Sequence, residues 1–241
     1  AVLAAYTYPD GTYASVSGWT DASGVYSIAG LAAGTYTVRF EGNGTLAGQN
    51  WNNKPYSDDG GDPIVLTAGQ RVGGINAVLR AGGVITGKVT GLADGKPIAD
   101  VSVSAYINGS TYVASADTGA DGSYTIAGLP AGSYAVGFFP GEQGNLVSQY
   151  WNTKYEWYDG DRVSVVEGQT ATGINAALAK GGYVSGKVTR AADGSPVSNI
   201  TVTASPKDGR GAKFATTSAD GSYTISGLLA GTYYVYFQDS Q

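Results

Sequence analysis

Apolar and polar residues alternate from Val84 to Thr90, placing Ile85, Gly87 and Val89 on one face and Val84, Thr86 and Lys88 on the other. This period of two is the signature of a strand buried on one side. Val101, Val103 and Ala105 alternate in the same way with Ser102 and Ser104. Beyond an Asp-Gly turn at Ala120-Asp121-Gly122-Ser123, the residues Tyr124, Ile126, Leu129, Tyr134, Val136 and Phe138 flank a tight glycine loop and make up the candidate core. Two more strands are expected near 162–166 and 172–178. About seven short strands without any helical period predict an all-β, two-sheet Greek-key sandwich.

The pattern repeats. Gly82-Gly83-Val84-Ile85-Thr86-Gly87-Lys88-Val89-Thr90 returns 99 residues later as Gly181-Gly182-Tyr183-Val184-Ser185-Gly186-Lys187-Val188-Thr189. The Tyr-x-Ile-x-Gly-Leu-x-Ala-Gly-x-Tyr run occurs three times, beginning at Tyr26, Tyr124 and Tyr223. A period of this length matches one small domain rather than a solenoid unit. The chain divides into tandem β-sandwiches at 1–80, 81–179 and 180–241: a first repeat lacking its opening strand, a complete middle repeat, and a third lacking its last strands. The joins, 79–83 and 178–182, are short, so an extended, semi-rigid rod is expected. Partial end repeats mark the chain as a segment of a longer repetitive polypeptide. Their unpaired sheet edges would be covered by adjacent repeats of the same chain or by neighbouring copies in a fibre.

Composition narrows the chemistry. The 241 residues include no Cys and no His, which removes disulfides, thiolate zinc sites, a Cys nucleophile and the commonest general base. A net charge of −5 argues against nucleic-acid phosphates as partners. No apolar run approaches the roughly 20 residues of a membrane span. Gly 38 and Tyr 18 describe a turn-rich, aromatic-rich β protein.

Gly-x-Val/Ile-x-Gly-x-Val-Thr, Asp-Gly-x-Pro-Val/Ile, Ala-Asp-Gly-Ser-Tyr-Thr-Ile and Gly-Leu-Pro-Ala-Gly-Ser-Tyr together resemble the carboxypeptidase regulatory-like family, and are similar to the B-type repeats of Gram-positive surface adhesins. The resemblance implies a prealbumin-like (transthyretin-like) sandwich that does no catalysis itself. It implies a bacterial structural or adhesive module, a stalk, spacer or fibre subunit that is secreted or attached to the cell surface. The alternative carried with it is a carbohydrate-binding accessory array of a secreted glycoside hydrolase.

One segment has no place in the strand pattern: Gln49-Asn50-Trp51-Asn52-Asn53-Lys54-Pro55-Tyr56 and its partner Gln149-Tyr150-Trp151-Asn152-Thr153-Lys154-Tyr155-Glu156-Trp157-Tyr158. Trp51, Tyr56, Trp151, Tyr155, Trp157 and Tyr158 beside amide side chains could stack on the rings of a polysaccharide ligand. The competing reading is a structural plug over an open end of the sandwich. Acidic residues follow, and Asp58, Asp59, Asp62, Asp159 and Asp161 are the candidate calcium ligands, although their spacing fits no EF-hand loop and a solvated turn before the next strand is the favoured reading. No other cofactor is expected. An internal isopeptide bond from Lys88 or Lys187 to Asn76 or Asn175 is disfavoured because Lys88 alternates with core-facing Val89.

Overall fold

The computed structural model describes residues 1–7, 13–56, 61–107, 111–141, 143–156, 158 and 160–239. Every regular element in it is a strand except a 3₁₀ turn at Gln143–Asn145. The first repeat contains β1 (Val2–Thr7), β2 (Tyr13–Gly18), β3 (Gly34–Phe40), β4 (Gln49–Asn50) and β5 (Ile64–Leu66). They form one antiparallel sheet in the order β2-β1-β3-β4, with β5 on the start of β3.

The middle repeat contains β6 (Gly83–Gly91), β7 (Ser102–Ile107), β8 (Thr111–Asp117), β9 (Ser123–Leu129), β10 (Gly132–Phe139), β11 (Gln149–Tyr150), β12 (Val163–Val165), β13 (Thr170–Ala171) and β14 (Ala176–Leu178). One sheet, β11-β10-β7-β8 with β12 on β10, matches the sheet of the first repeat strand for strand. A second sheet is organised by β6, which pairs antiparallel with β9 and parallel with β13 and β14. The third repeat contains β15 (Gly182–Lys187), β16 (Ile200–Pro206), β17 (Lys213–Thr216), β18 (Ser222–Leu228) and β19 (Tyr233–Asp239), arranged as β17-β16-β19 and β15-β18.

The inward positions read from the alternation fill the space between the two middle sheets. Ile85 and Val89 from β6 meet Val101, Val103, Ala105, Ile126, Leu129, Tyr134, Val136 and Phe138, all buried in one cluster. Each such side chain contributes about 1.5–3 kcal/mol when fully buried. Tyr124 meets Phe138 edge to face at 5.9 Å and donates its hydroxyl hydrogen to the Ile174 carbonyl at 2.6 Å, so its polar tip is satisfied inside the core. The Asp-Gly turns are held by their own side chains, with Asp121 Oδ1 accepting from the backbone N–H and the hydroxyl of Ser123.

Of the last expected strand, 172–178, only β14 (Ala176–Leu178) forms, and β13 (Thr170–Ala171) lies just before it. Gly173 (φ 77°) turns the chain between β13 and β14, and both run parallel to β6. That turn carries the Ile174 carbonyl across Gly87, where a Cβ would lie 2.0 Å from the oxygen. The glycine in Gly-Lys-Val-Thr is therefore a close-approach glycine of the second sheet.

The three copies differ in how much of this second sheet they have. Among the described residues the first repeat has no counterpart of β6, and its counterparts of β9 (25–31) and of β13 and β14 (70–79) form no strand. Tyr26, Ile28, Leu31, Ile75, Ala77 and Leu79 still pack against the core of β1 and β3, but only half-buried. In the third repeat β15 pairs with β18 and has no parallel neighbour among the described residues, and Phe237 is 56% exposed where Phe138 is 0%.

Replacing Gly87 by Ala is expected to destabilise the middle repeat by about 3 kcal/mol, at the top of the overpacking range, because the obstacle is backbone. Gly186→Ala, which faces the movable ring end of Tyr223 at 2.8 Å, should cost the third repeat clearly less. Amide hydrogen exchange resolved by repeat checks both.

Candidate functional site

The recurring Trp segment is built as a small hairpin. Asn50 N–H donates to the Lys54 carbonyl at 3.1 Å, and Tyr150 N–H donates to that of Lys154 at 2.6 Å. Each closes a three-residue loop in which two successive residues take left-handed backbone angles: Asn52 (63°) and Asn53 (57°), Asn152 (62°) and Thr153 (60°). Asparagine tolerates this region; a β-branched threonine does not. The Trp51 and Trp151 amides donate to Val38 and Val136 carbonyls, both at 2.8 Å, which sets the hairpin on the rim of the sheet.

Both tryptophans are half-buried and pack against their own repeat's core. That is the arrangement of a plug rather than of a free ring platform. Tyr56 lies deeper still, 8% exposed at the first join, with the Arg39 guanidinium 4.9 Å over its ring and its hydroxyl donating to Glu41 at 3.2 Å. It approaches the middle repeat: Tyr134 is pushed above its ordinary value by burial, with Tyr56 as the smaller cause. Tyr155 is half-buried at the second join and Tyr158 is exposed. Trp157 lies outside the described residues, and the five described aromatic candidates are spread over two loops and two joins rather than gathered on one surface.

Of the acidic candidates, Asp58, Asp59 and Asp159 lie outside the described residues. Asp62 and Asp161 each accept a hydrogen bond from the loop asparagine, Asn52 and Asn152, at 2.5 Å. Lys54 adds an ion pair to Asp62 at 3.5 Å. The described acid in each repeat thus ties the Trp loop to the segment that follows. Among the described residues no group of three His, Cys, Asp or Glu side chains is placed to hold a metal ion. Lys88 is exposed, and Asn175 uses its side-chain oxygen to accept from the Lys88 backbone N–H at 2.8 Å. That geometry presents no isopeptide pair; it fastens β6 to the turn before β14.

The joins hold the residues that the repeat pattern did not single out. At the first, Gly82 N–H donates to the Thr45 carbonyl (2.8 Å) and Ala47 N–H to that of Arg80 (2.9 Å); at the second, Gly181 donates to Asn145 (2.7 Å) and Val147 to Ala179 (2.9 Å). Asn145 adds two side-chain bonds, donating to the Gly181 carbonyl at 2.5 Å and accepting from Gly227 N–H at 2.6 Å. Gly128 and Gly227, both at positive φ, press against the end loop of the preceding repeat: a Cβ would lie 3.1 Å from the Gly44 backbone in one case and 2.8 Å from the Leu146 carbonyl in the other. The Gly-Leu of the recurring motif is thus a docking element as well as a turn. Asn145 escaped notice because its counterpart in the first repeat is Thr45.

Thr153→Asn, which copies the first repeat, should stabilise the middle repeat by about 1 kcal/mol, read as a higher denaturation midpoint. Acid behaviour gives a second check. The hydrogen bond from Asn52, and then the charge of Lys54, hold the Asp62 carboxyl below the usual range. A carboxyl whose folded pKa is depressed stabilises above its unfolded value of about 3.9 and loses that contribution as pH falls through the lower folded one. The Trp51 indole resonance is therefore expected to hold steady down to about pH 4 and to shift below it, with the shift abolished in Asp62→Asn.

The carboxypeptidase regulatory-like domain matches residues 84–179 and 183–241, well over half of the chain. No curated protein matches it. Among solved structures it is similar to the Bacillus anthracis TIE protein at 17% identity and TM-score 0.34, covering 99% of this chain and 42% of that one. It is also similar to a streptococcal ancillary pilin (13%, TM-score 0.32, covering 100% and 84%). A third is the shaft pilin SpaA of Lactobacillus rhamnosus GG (15%, TM-score 0.29, covering 66% and 75%). The chain spans less than half the length of the Bacillus anthracis protein. With the family's domain matched twice, in the middle and the third repeat, the chain belongs to the carboxypeptidase regulatory-like domain family.

Proposed function

We propose that this chain is a non-catalytic structural module, a stretch of stalk, spacer or fibre working outside the cell as part of a longer repetitive protein. The observation that carries the reading is the join. Both joins use the same backbone bonds and the same positive-φ glycine seated on the same loop, so the relation of one sandwich to the next is built into the repeat. A protein that only needed three independent ligand-binding beads would have no use for it. The packing of Trp51 and Trp151 against their cores supports scaffold over sugar platform for those loops, and with no His or Cys the acid–base and nucleophile repertoire is thin. No helix among the described residues is long and apolar enough to cross a membrane.

The test is mechanical. In residual dipolar couplings the middle and third repeats of the native chain should share one alignment tensor. Gly227→Val, which drives a branched side chain into the Leu146 carbonyl, should give each repeat its own while leaving both folded. Independent tensors in the native chain would defeat the scaffold reading.

A further inference from the structure

The two joins share their backbone but differ in what fills the space beside it. At the first, Tyr56 occupies that space together with Arg39 and Glu41. At the second, the corresponding residues are Glu156, Gly137 and Phe139. The aromatic plug is gone. Glu156 turns across the join instead, its Oε1 accepting from Gly211 N–H of the third repeat at 2.7 Å. What remains is a groove of about 600 Å³ between the middle and third repeats, within the roughly 300–1,000 Å³ of ordinary ligand pockets. A second hollow of about 530 Å³ shares Phe139, Ser148 and Lys213 with it and extends it along β17 and β18.

The lining is chemically specific. Gln149, 3% exposed, lines the groove with its carboxamide. Phe139 and Tyr155 supply aromatic wall. The charges are unbalanced in a useful way: both lining carboxylates are engaged, Glu156 with Gly211 N–H and Asp208 with Arg210 at 2.6 Å, whereas Lys207 and Lys213 have no ion-pair partner among the described residues. With Arg210 balanced by Asp208, Lys207 and Lys213 outweigh the one remaining carboxylate, Glu156, so the groove is net positive in a chain of net charge −5.

We propose that the groove between the middle and third repeats binds an anionic oligosaccharide. Ring faces accept the apolar face of a sugar, the Gln149 amide pairs with hydroxyls through its donor and acceptor together, and the two lysines meet the carboxylates of uronic-acid units. An elongated hollow suits a linear chain. Ring faces beside two lysines favour an anionic sugar, and the outer edges of β11 and β17 that border the hollow make an extended acidic peptide the competing occupant that the tetraglutamate control tests. The site takes Gln149, Tyr155 and Glu156 from the residues flanking the Trp151 loop but not the tryptophan itself, and it does not depend on the structural role proposed above.

The probe is trigalacturonate titrated into the intact 241-residue chain and followed by NMR, with maltotriose as the uncharged control and a tetraglutamate peptide as the non-sugar anion. Trigalacturonate should shift resonances of Gln149, Tyr155 and Lys213, and maltotriose should bind at least tenfold more weakly. Lys213→Ala should weaken binding about fivefold and Gln149→Leu by a similar factor. Glu156→Tyr, which reinstates the plug of the first join, should abolish it with the circular dichroism unchanged. Binding that survives in both Lys213→Ala and Glu156→Tyr, equal binding of tetraglutamate, or no binding of trigalacturonate overturns the proposal. Lys213→Ala carries the test alone if Glu156→Tyr disturbs the join.

Discussion

The second sheet of the sandwich depends on one shared hydrogen-bond partner. Strand β6 lends its backbone to β9 on one side and to β13 and β14 by parallel pairing, so three segments distant in sequence become a sheet only because a fourth runs among them. The chain contains its own comparison. In the first repeat the same kinds of side chain, Tyr26, Ile28, Leu31, Ile75 and Leu79, reach the core without that strand, and they pack half-buried in segments that form no ladder. Hydrophobic contact, with one hydrogen bond from the Tyr26 hydroxyl to the Ile75 carbonyl at 2.6 Å, brings them to the core. It is non-directional, and the regularity of a strand comes from backbone groups that need a partner. The sheet of β1, β2, β3, β4 and β5, which needs nothing from β6, is intact in the same repeat.

The start of β6 is also where one repeat meets the last. Gly82, just before that strand, donates to the Thr45 carbonyl, and Gly181, just before β15, donates to that of Asn145. The turn after Ile126, whose Gly128 rests on the first repeat's loop, belongs to the strand that β6 pairs with. Formation of the second sheet and docking onto the preceding repeat therefore draw on the same residues. A sandwich whose opening strand is correctly laid down presents a finished docking surface. This links the local physics of a strand to the proposed role of the array, because orientation between repeats is specified by the fold of each rather than by a separate linker.

Much of this was legible in the residues. The alternation at Ile85, Val89, Val101, Val103 and Ala105, and the paired aromatics at Tyr124, Tyr134 and Phe138, named core positions that are buried, because period two translates directly into one face of a sheet. The break between β13 and β14, which leaves 172–175 outside any strand, was not legible, since it turns on one backbone angle at Gly173 and a carbonyl crossing Gly87. The Trp-Asn-x-Lys segment announced itself by recurrence, but recurrence cannot separate a binding face from a fold requirement. Consecutive left-handed residues and the Asn52–Asp62 and Asn152–Asp161 hydrogen bonds give the loops a structural account. Asn145 at the second join went unmarked for the opposite reason: it differs from Thr45, and recurrence marks only what repeats.

The difference between the joins ties the two proposals together physically. A ligand lying between Tyr155 and Lys213 touches both repeats, so its binding free energy depends on the angle between them. Linkage then makes the coupling reciprocal: whatever holds the second join in the bound geometry strengthens the ligand, and the ligand in turn holds the join. The first join, filled by Tyr56, has no such dependence and behaves as a fixed spacer. Asn145, with bonds to both Gly181 and Gly227, already holds the second join close to one geometry. The groove is thereby preorganised, and a ligand entering it has little ordering of the two repeats left to accomplish.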